Sequence, residues 1–506
     1  MLNRHYEWVL LGHNLASLTL GQHLLTQKKS VLILDDGRFM YPGAFENYLS
    51  FIPKEAYKCW LEGYGLSASC TFDSFLAPTT YHVCFGTHLI QLGHRPWQNI
   101  RELFRKVPFL FMSEQDHGAR VVLQELLGRG EAFDQEILDL GAKIALMFSG
   151  TRARKFPSFQ QVIEESPFYV KKLFLLFLGR FQDAISKASQ GDAEAWEKLV
   201  FYFLANAFHH KKLALPESES ELFFLLVGLL MPAFSLDNHS LKSELSKNFV
   251  AQGGAIRASK VQQVMQQNSD RVWGLELDTY DGIVHPKNLV MAGGPVSEHP
   301  FHGEVADICQ FVQIQASLPL FEAASAAAMA VPRQRQAFYY GNTTCMGQDS
   351  PLAILELAHH PSDPMSLSIP VRKSLGMKES FIEKDLREVI QSLVKWPVDS
   401  APFIASIRKG DFHLTDAYWP IGPMQKVFQQ IPTTPNIKGP IRGPIAWEKM
   451  SGMLQMGISQ LIEREGVPRP PHSVSDPGGN IHGLSLLEVG ELGQLSLLVH
   501  LAQLLS

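Results

Sequence analysis

At 506 residues the chain is too long for one ordinary hydrophobic core, so two or three domains are expected. Its 45% hydrophobic and 19% charged residues are those of a globular soluble protein. A net charge of -5 excludes the electrostatic footprint of a nucleic-acid binder or a polybasic membrane anchor.

Tyr6 to Leu11 is a short apolar run, interrupted by Gly12-His13-Asn14-Leu15-Ala16-Ser17. Leu18 to Leu25 carries apolar residues at helical spacing, and Ser30 to Leu34 is a second apolar run closed by Asp35-Asp36. Strand, tight turn, helix, strand and then a carboxylate about twenty residues past the turn is the layout of a dinucleotide-binding βαβ unit. The turn brings backbone N–H groups and the positive helix N-terminus to a pyrophosphate. The acid at the tip of the second strand accepts hydrogen bonds from a ribose diol; Asp35 is assigned that role and Asp36 is expected to face solvent. Of the glycine fingerprint Gly12 alone survives, with Asn14 and Ser17 in the second and third positions. Asn tolerates a left-handed backbone and Ser is small, so the fold can accept both.

After Asp36 comes a turn-rich loop, Gly37-Arg38-Phe39-Met40-Tyr41-Pro42-Gly43. Residues 45 to 130 mix short apolar runs with Gly and Pro breaks and suggest no definite architecture. From Asp134 to His210 the pattern is helical. Pro216 and the Glu/Ser cluster at 217–221 form a helix start, and Leu222 to Phe234 behind it is strongly apolar. About thirteen residues are too few to span a bilayer. This stretch is either a buried helix or a patch that dips into one leaflet, giving peripheral membrane contact.

Leu241 to Val250 has helical spacing, and Gly253-Gly254 breaks it. Ala255 to Ala258, Val261 to Gln266 and Arg271 to Leu277 are predicted strands. Asp281-Gly282 is a hairpin turn signal, followed by Ile283 to Met291, which must stop at Ala292-Gly293-Gly294-Pro295. Farther on, strands are predicted at Phe311 to Ala316, Ala337 to Tyr340, Leu352 to Leu357, Met365 to Pro370 and Phe403 to Ile407. Helices are predicted at Glu379 to Trp396 and Ala446 to Glu463. Ile431 to Pro444 has the Pro and Gly content of a linker. The chain closes with an apolar run from Leu484 to Gly490 and a helix from Leu492 to Leu505.

Three separated segments resemble the FAD-dependent oxidoreductases of the amine oxidase and phytoene desaturase type. They are the N-terminal unit, the stretch 245–294 (Gly253, Gly254, Ile256, Val261, Val264, Gly274, Gly282, Leu289-Val290) and the C-terminal Val489-Gly490-Glu491 followed by a helix. The resemblance implies an α/β chain with a discontinuous Rossmann-like FAD/NAD(P)-binding domain, an α+β substrate domain and a helical insertion. The implied FAD-binding parts are 1–60, 241–306 and 441–506, with substrate-domain parts at 61–240 and 307–440. It further implies FAD as cofactor, with Gly12, Asn14 and Ser17 at the pyrophosphate and Asp35 at the ribose. Arg38, Gly43 and Gly293 would line the cofactor, Val261 would meet adenine through its backbone, and Gly490 and Glu491 would flank the ribityl chain. The implied reaction is hydride abstraction from an apolar or amine-bearing small molecule to the flavin, in a cytoplasmic or membrane-peripheral protein. The chain departs from the family at Asn14 and Ser17, at Pro42-Gly43-Ala44 where a Gly-Gly pair is usual, and at the short Leu492-Gly493-Gln494 turn. The GDP-dissociation-inhibitor and prenyl-protein escort proteins depart from the glycine fingerprint too, and the runner-up reading is a flavin-free carrier on the same fold.

The remaining motifs point elsewhere less well. The five cysteines (Cys59, Cys70, Cys84, Cys309, Cys345) form no CxxC, which argues against a disulfide framework or structural zinc and for a reducing compartment. His209-His210, His359-His360, His299 and His302 have no companion ligands and are expected to be surface or loop histidines. No G-x-S-x-G, P-loop or H-E-x-x-H is present, so hydrolase and kinase chemistry lack support. The 32 phenylalanines suit either a large apolar cavity or a Phe-rich core. No catalytic acid or base is legible.

Overall fold

The computed structural model describes residues 5–36, 39–40, 48–85, 87–113, 116–148, 159–210, 215–216, 219–266, 272–278, 282–292, 294–295, 308–316, 335–341, 352–357, 365–372, 401–420 and 481–484. In chain order the first elements are β1 (His5–Leu11), α1 (Leu15–Thr26), β2 (Val31–Asp35), β3 (Phe39–Met40), β4 (Tyr48–Ser50) and α2 (Phe51–Tyr64). β5 (Leu76–Phe85), β6 (His88–Leu92), α3 (Pro96–Lys106), α4 (His117–Arg129), α5 (Glu131–Phe148) and α6 (Phe159–Glu165) come next. α7 (Phe168–Ser189), α8 (Ala193–His210), α9 (Glu219–Leu230), β7 (Ala233–Leu236) and α10 (Asn238–Ala251) complete the first half. The second half contains β8 (Ala255–Ala258), β9 (Val261–Gln266), β10 (Val272–Leu277), β11 (Ile283–Ala292) and β12 (Gly294–Pro295). It continues with β13 (Ile308–Ala316), β14 (Arg335–Gly341), β15 (Leu352–Leu357) and β16 (Met365–Arg372), then α11 (Ala401–Lys409), β17 (Phe412–Pro420) and β18 (Ile481–Leu484).

The first sheet is assembled from distant parts of the chain. Its parallel portion runs β8-β2-β1-β11-β18, with β11 extended by the antiparallel meander β11-β10-β9. Beginning, middle and end of the polypeptide therefore lie side by side, and the carboxyl ends of the parallel strands share one edge. Alternation along the strands decides what each face meets. Val9, Leu11, Leu32 and Leu34 pack on Val261, Val272, Leu275 and Val284 of the meander. Leu10 and Ile33, pointing the other way, are equally buried. A sheet covered on both faces needs near-continuous apolar strands, as WVLL and VLIL are. This is an α/β, Rossmann-like dinucleotide-binding architecture, discontinuous in sequence.

Helices α1 and α10 approach each other closely because Phe249 occupies space that two glycines leave. A Cβ on Gly21 would come within 2.6 Å of the Phe249 ring, and one on Gly254 within 2.3 Å. The third fingerprint glycine is replaced by Ser17, and Gly21 and Gly254 supply close approach a turn away and at the end of α10.

The second sheet runs β17-β13-β16-β15-β14-β5-β7-β4, with β6 paired to β5. Its β5–β14 pairing is parallel and joins Thr79–Phe85 to Arg335–Gly341. One face of β5, through Tyr81, Val83 and Phe85, shares a core with α3 to α5 and α7 to α9. This core contains Phe111, Phe133, Phe174, Phe177, Phe201 and Phe223, so many of the phenylalanines are packing residues of the helical insertion. Leu222 to Leu230 are all buried in it. That stretch is an interior helix; it ends at Leu230, and Ala233–Leu236 turns into β7.

The predicted strand at Phe403 to Ile407 is instead part of helix α11. Phe403 and Ile407, four apart, are buried together, Arg408 and Lys409 complement the helix C-terminus, and Gly410 stops it at φ +76°. The predicted helices at 379–396, 446–463 and 492–505 and the linker at 431–444 lie outside the described residues. No described helix is long and apolar enough to cross a membrane.

Candidate functional site

The β1–α1 turn stands at the shared carboxyl edge of the parallel strands, where ligands of open α/β sheets bind. Gly12 has φ +101°, a left-handed value that favours glycine, and its N–H donates to the Leu34 carbonyl at 2.9 Å. Asn14 does not need the left-handed backbone that asparagine tolerates. Its backbone is extended (φ -141°, ψ 173°) and it is the N-cap of α1, its Oδ1 accepting the Ser17 N–H at 2.9 Å. The cap fixes where the helix starts but spends one amide that a bare glycine would leave for an anion. Ser17 is fully buried, and no acidic residue lies in the first turn of α1 to oppose a bound anion.

Of the two adjacent acids, Asp36 departs from its expected place. Asp35, at the tip of β2, keeps 41% of its side chain exposed and faces the turn. Asp36 is not turned to solvent. It is 1% exposed, and its Oδ2 accepts the N–H of Val261 at 2.7 Å, tying the end of β2 to the start of β9. An adenine contact through the Val261 N–H would have to share it with Asp36. The β8–β9 connection is anchored again where the Ser259 N–H donates to the Asp35 carbonyl at 3.1 Å. Asp278 accepts from the Ser259 hydroxyl (2.8 Å) and the Lys260 N–H (2.9 Å).

One polar residue of this edge escaped sequence reasoning. His13, between Gly12 and Asn14, places Nδ1 3.4 Å from Asp35 Oδ2 and Nε2 2.9 Å from the Ser246 hydroxyl on α10. Its position one residue before a helix N-cap and opposite the acid at the tip of β2 was the available signal.

The structure thus brings Gly12, Asn14, Ser17, Asp35 and Val261 to one edge. Arg38, Gly43, Gly293, Gly490 and Glu491 lie outside the described residues. The groups in place fit the ADP half of a dinucleotide: a half-exposed carboxylate for a ribose diol, a left-handed glycine turn, and the N-terminus of α1 for a pyrophosphate. Among the described residues no group of three or more His, Cys, Asp and Glu side chains is placed to hold a metal ion.

Away from this edge, the helical insertion holds a buried polar pair. The Tyr81 hydroxyl on β5 lies 2.9 Å from His209 Nε2 on α8, and the Tyr81 ring stacks on Phe208. His209 is therefore an interior residue rather than the surface histidine expected. Gly228 makes room for it, since a Cβ there would lie 2.7 Å from His209 Nδ1. Burial holds the phenols of Tyr81 and Tyr202 well above their ordinary range.

No family model matches the sequence, and no curated protein matches it. Solved structures with a similar course of the chain include an oxidoreductase from Methanosarcina mazei, 11% identical, covering 98% of this chain and 99% of that one at a TM-score of 0.42. A Rab GDI from Plasmodium falciparum is 11% identical, with 84% and 92% covered at a TM-score of 0.38. Glycine oxidase from Bacillus cereus is 9% identical, with 98% and 96% covered at 0.35. At these values the likeness carries no functional argument, and the fold assignment rests on the strand order.

Proposed function

We propose that the protein is an FAD-dependent oxidoreductase acting on an apolar or amine-bearing small molecule. The observation that carries this reading is the parallel sheet β8-β2-β1-β11-β18, whose carboxyl edge gathers the Gly12 turn and the half-exposed Asp35. FAD, when bound, supplies the hydride acceptor. The chain's own residues bind and orient: Asp35 accepts from the ribose hydroxyls, and the α1 N-terminus faces the pyrophosphate. Visible absorption of the purified protein tests it, with a band at about 450 nm expected for oxidised flavin. A colourless protein that added FAD neither tints nor stabilises against heat overturns it.

A second reading, a flavin-free carrier, is favoured by two specific observations. Asn14 folds its side chain onto an amide of the phosphate-facing turn, and the Val261 N–H is engaged by Asp36. Both are contacts a protein without the cofactor keeps for its own stability.

A further inference from the structure

We infer that α7 docks the protein on an anionic lipid surface, with Phe168 and Leu175 entering the headgroup layer and Lys171 and Lys172 meeting the phosphates around them. The inference goes beyond the nucleotide reading and does not depend on it.

Of the large apolar side chains exposed among the described residues, Phe168, Leu175 and Ile185 lie on α7, and Val121 lies on α4. The two helices meet at Tyr169, whose hydroxyl donates to Glu125 Oε2 at 3.4 Å and whose ring centre lies 4.8 Å from the Arg129 guanidinium. Helix α7 buries one side, with Val170, Leu173, Phe174, Phe177 and Phe181, in the phenylalanine-rich core. The opposite row, Phe168, Lys172, Leu175 and Gly179, follows the spacing of a single helix face. Phe168 is 61% and Leu175 60% exposed, and a Cβ on Gly179 would meet no atom within 4 Å. A helix apolar on both sides is ordinarily interior, so large apolar residues left on the outer row mark a further apolar contact.

Charge narrows what that contact is. From Phe168 to Gln182 the charged residues are Lys171, Lys172 and Arg180, with no acid among them. Arg180 is paired with Asp183 at 3.8 Å, whereas Lys171 and Lys172 have no carboxylate partner among the described residues. Lys171 donates to the Glu164 carbonyl, and Lys172 Nζ lies 5.5 Å from the centre of the Phe168 ring. The nearest acids before the row, Glu164 and Glu165, belong to the last turn of α6. A lysine laid along an exposed phenyl ring carries charge where an apolar layer meets water. Pairing of the row with a second copy about a two-fold axis would bring the lysines of both chains together, a like-charge contact. A partner protein would have to supply a groove for this convex row, whereas a bilayer interface moulds to it. The net charge of -5 opposes long-range attraction to anionic lipid. Insertion of the two apolar side chains therefore holds the contact, and the lysines choose the headgroup.

The full-length protein is sedimented with vesicles of phosphatidylcholine alone and of phosphatidylcholine mixed with phosphatidylserine. Wild-type protein is expected to prefer the mixed vesicles by about tenfold or more, the scale set by two basic residues at an anionic surface. Phe168→Ser and Leu175→Ser should each weaken that binding by about tenfold, the scale of burying one large apolar side chain. Lys171→Gln combined with Lys172→Gln should remove the preference, and Val250→Ser, at an exposed valine of α10, should change nothing. Absence of wild-type sedimentation with the mixed vesicles overturns the inference. So does binding that both serine variants, or the combined lysine variant, leave intact. A wild-type dimer in sedimentation velocity that Leu175→Ser dissociates gives the row to a second copy and overturns it as well. Melting without vesicles should be nearly unchanged in each variant; should Phe168→Ser unfold, Leu175→Ser and the lysine variant still decide.

Discussion

The carboxylate of Asp36 accepts the backbone N–H of Val261 across 225 residues of sequence, at 2.7 Å and out of contact with solvent. This bond joins β2 of the parallel sheet to the meander that covers it. Asp36→Ala leaves a buried donor without its acceptor, which costs about 1–3 kcal/mol. Urea denaturation is expected to show the lower midpoint, whereas Asp35→Ala, at a half-exposed carboxylate, should change the midpoint by less than half as much.

The contact of Phe249 with Gly21 leads to an overpacking prediction. A methyl group on Gly21 would meet the Phe249 ring at 2.6 Å, inside any relaxed contact distance. Gly21→Ala is expected to destabilise by about 1–3 kcal/mol although alanine is the better helix former. Phe249→Leu in the same chain should recover part of the loss, and thermal melting of the single and double variants measures the coupling.

Much of this architecture could be read before any coordinates. The elements β1, α1, β2 and α10, and the run β8 to β11, all follow local signals: apolar alternation, Gly12 and Gly282 at positive φ, and apolar positions at helical spacing. Residues 45 to 130 gave nothing comparable, because β5 takes its parallel partner from β14, more than 250 positions on, and no local pattern encodes such a pairing. Helix α11 was misread because Phe403-Ile404-Ala405-Ser406-Ile407 is short, apolar and ends in a β-branched residue, and five residues satisfy both periods. At the candidate site, Gly12 and Asp35 were legible because their jobs need those residue types. Asp36 was misjudged because adjacent strand residues face opposite sides, and the buried side was taken for solvent. His13 was missed because its partners Asp35 and Ser246 are neighbours only in the folded chain.

The apolar stretch of α9 also separates a core helix from a membrane-seeking one. Leu226 is 0% exposed, whereas Leu175 on α7 is 60% exposed. Leu226→Ala should cost about 2–5 kcal/mol and Leu175→Ala well under 1 kcal/mol, read from the denaturation midpoints of the two variants.

Tyr81 and Tyr202 are both buried phenols, yet their replacement by phenylalanine should act in opposite directions. The Tyr81 hydroxyl bonds His209 Nε2, so Tyr81→Phe removes a buried hydrogen bond and is expected to cost about 1–3 kcal/mol. The Tyr202 hydroxyl has no hydrogen-bond partner among the described residues and lies against Phe177 and Phe181. Tyr202→Phe removes a desolvated hydroxyl at little change of shape and should leave stability at neutral pH equal or higher. Alkaline titration separates the two further. In the unfolded chain a tyrosine loses its proton near its ordinary value of 10.0, whereas burial keeps both phenols protonated in the folded state. Above that pH the unfolded state binds fewer protons than the folded one, so the stability present below pH 10.0 is progressively lost as pH rises. Tyr202→Phe removes one such group without breaking a bond. Its denaturation midpoint should therefore fall less steeply above pH 10.0 than that of the wild-type protein, and an unchanged slope would show that Tyr202 ionises in the folded state.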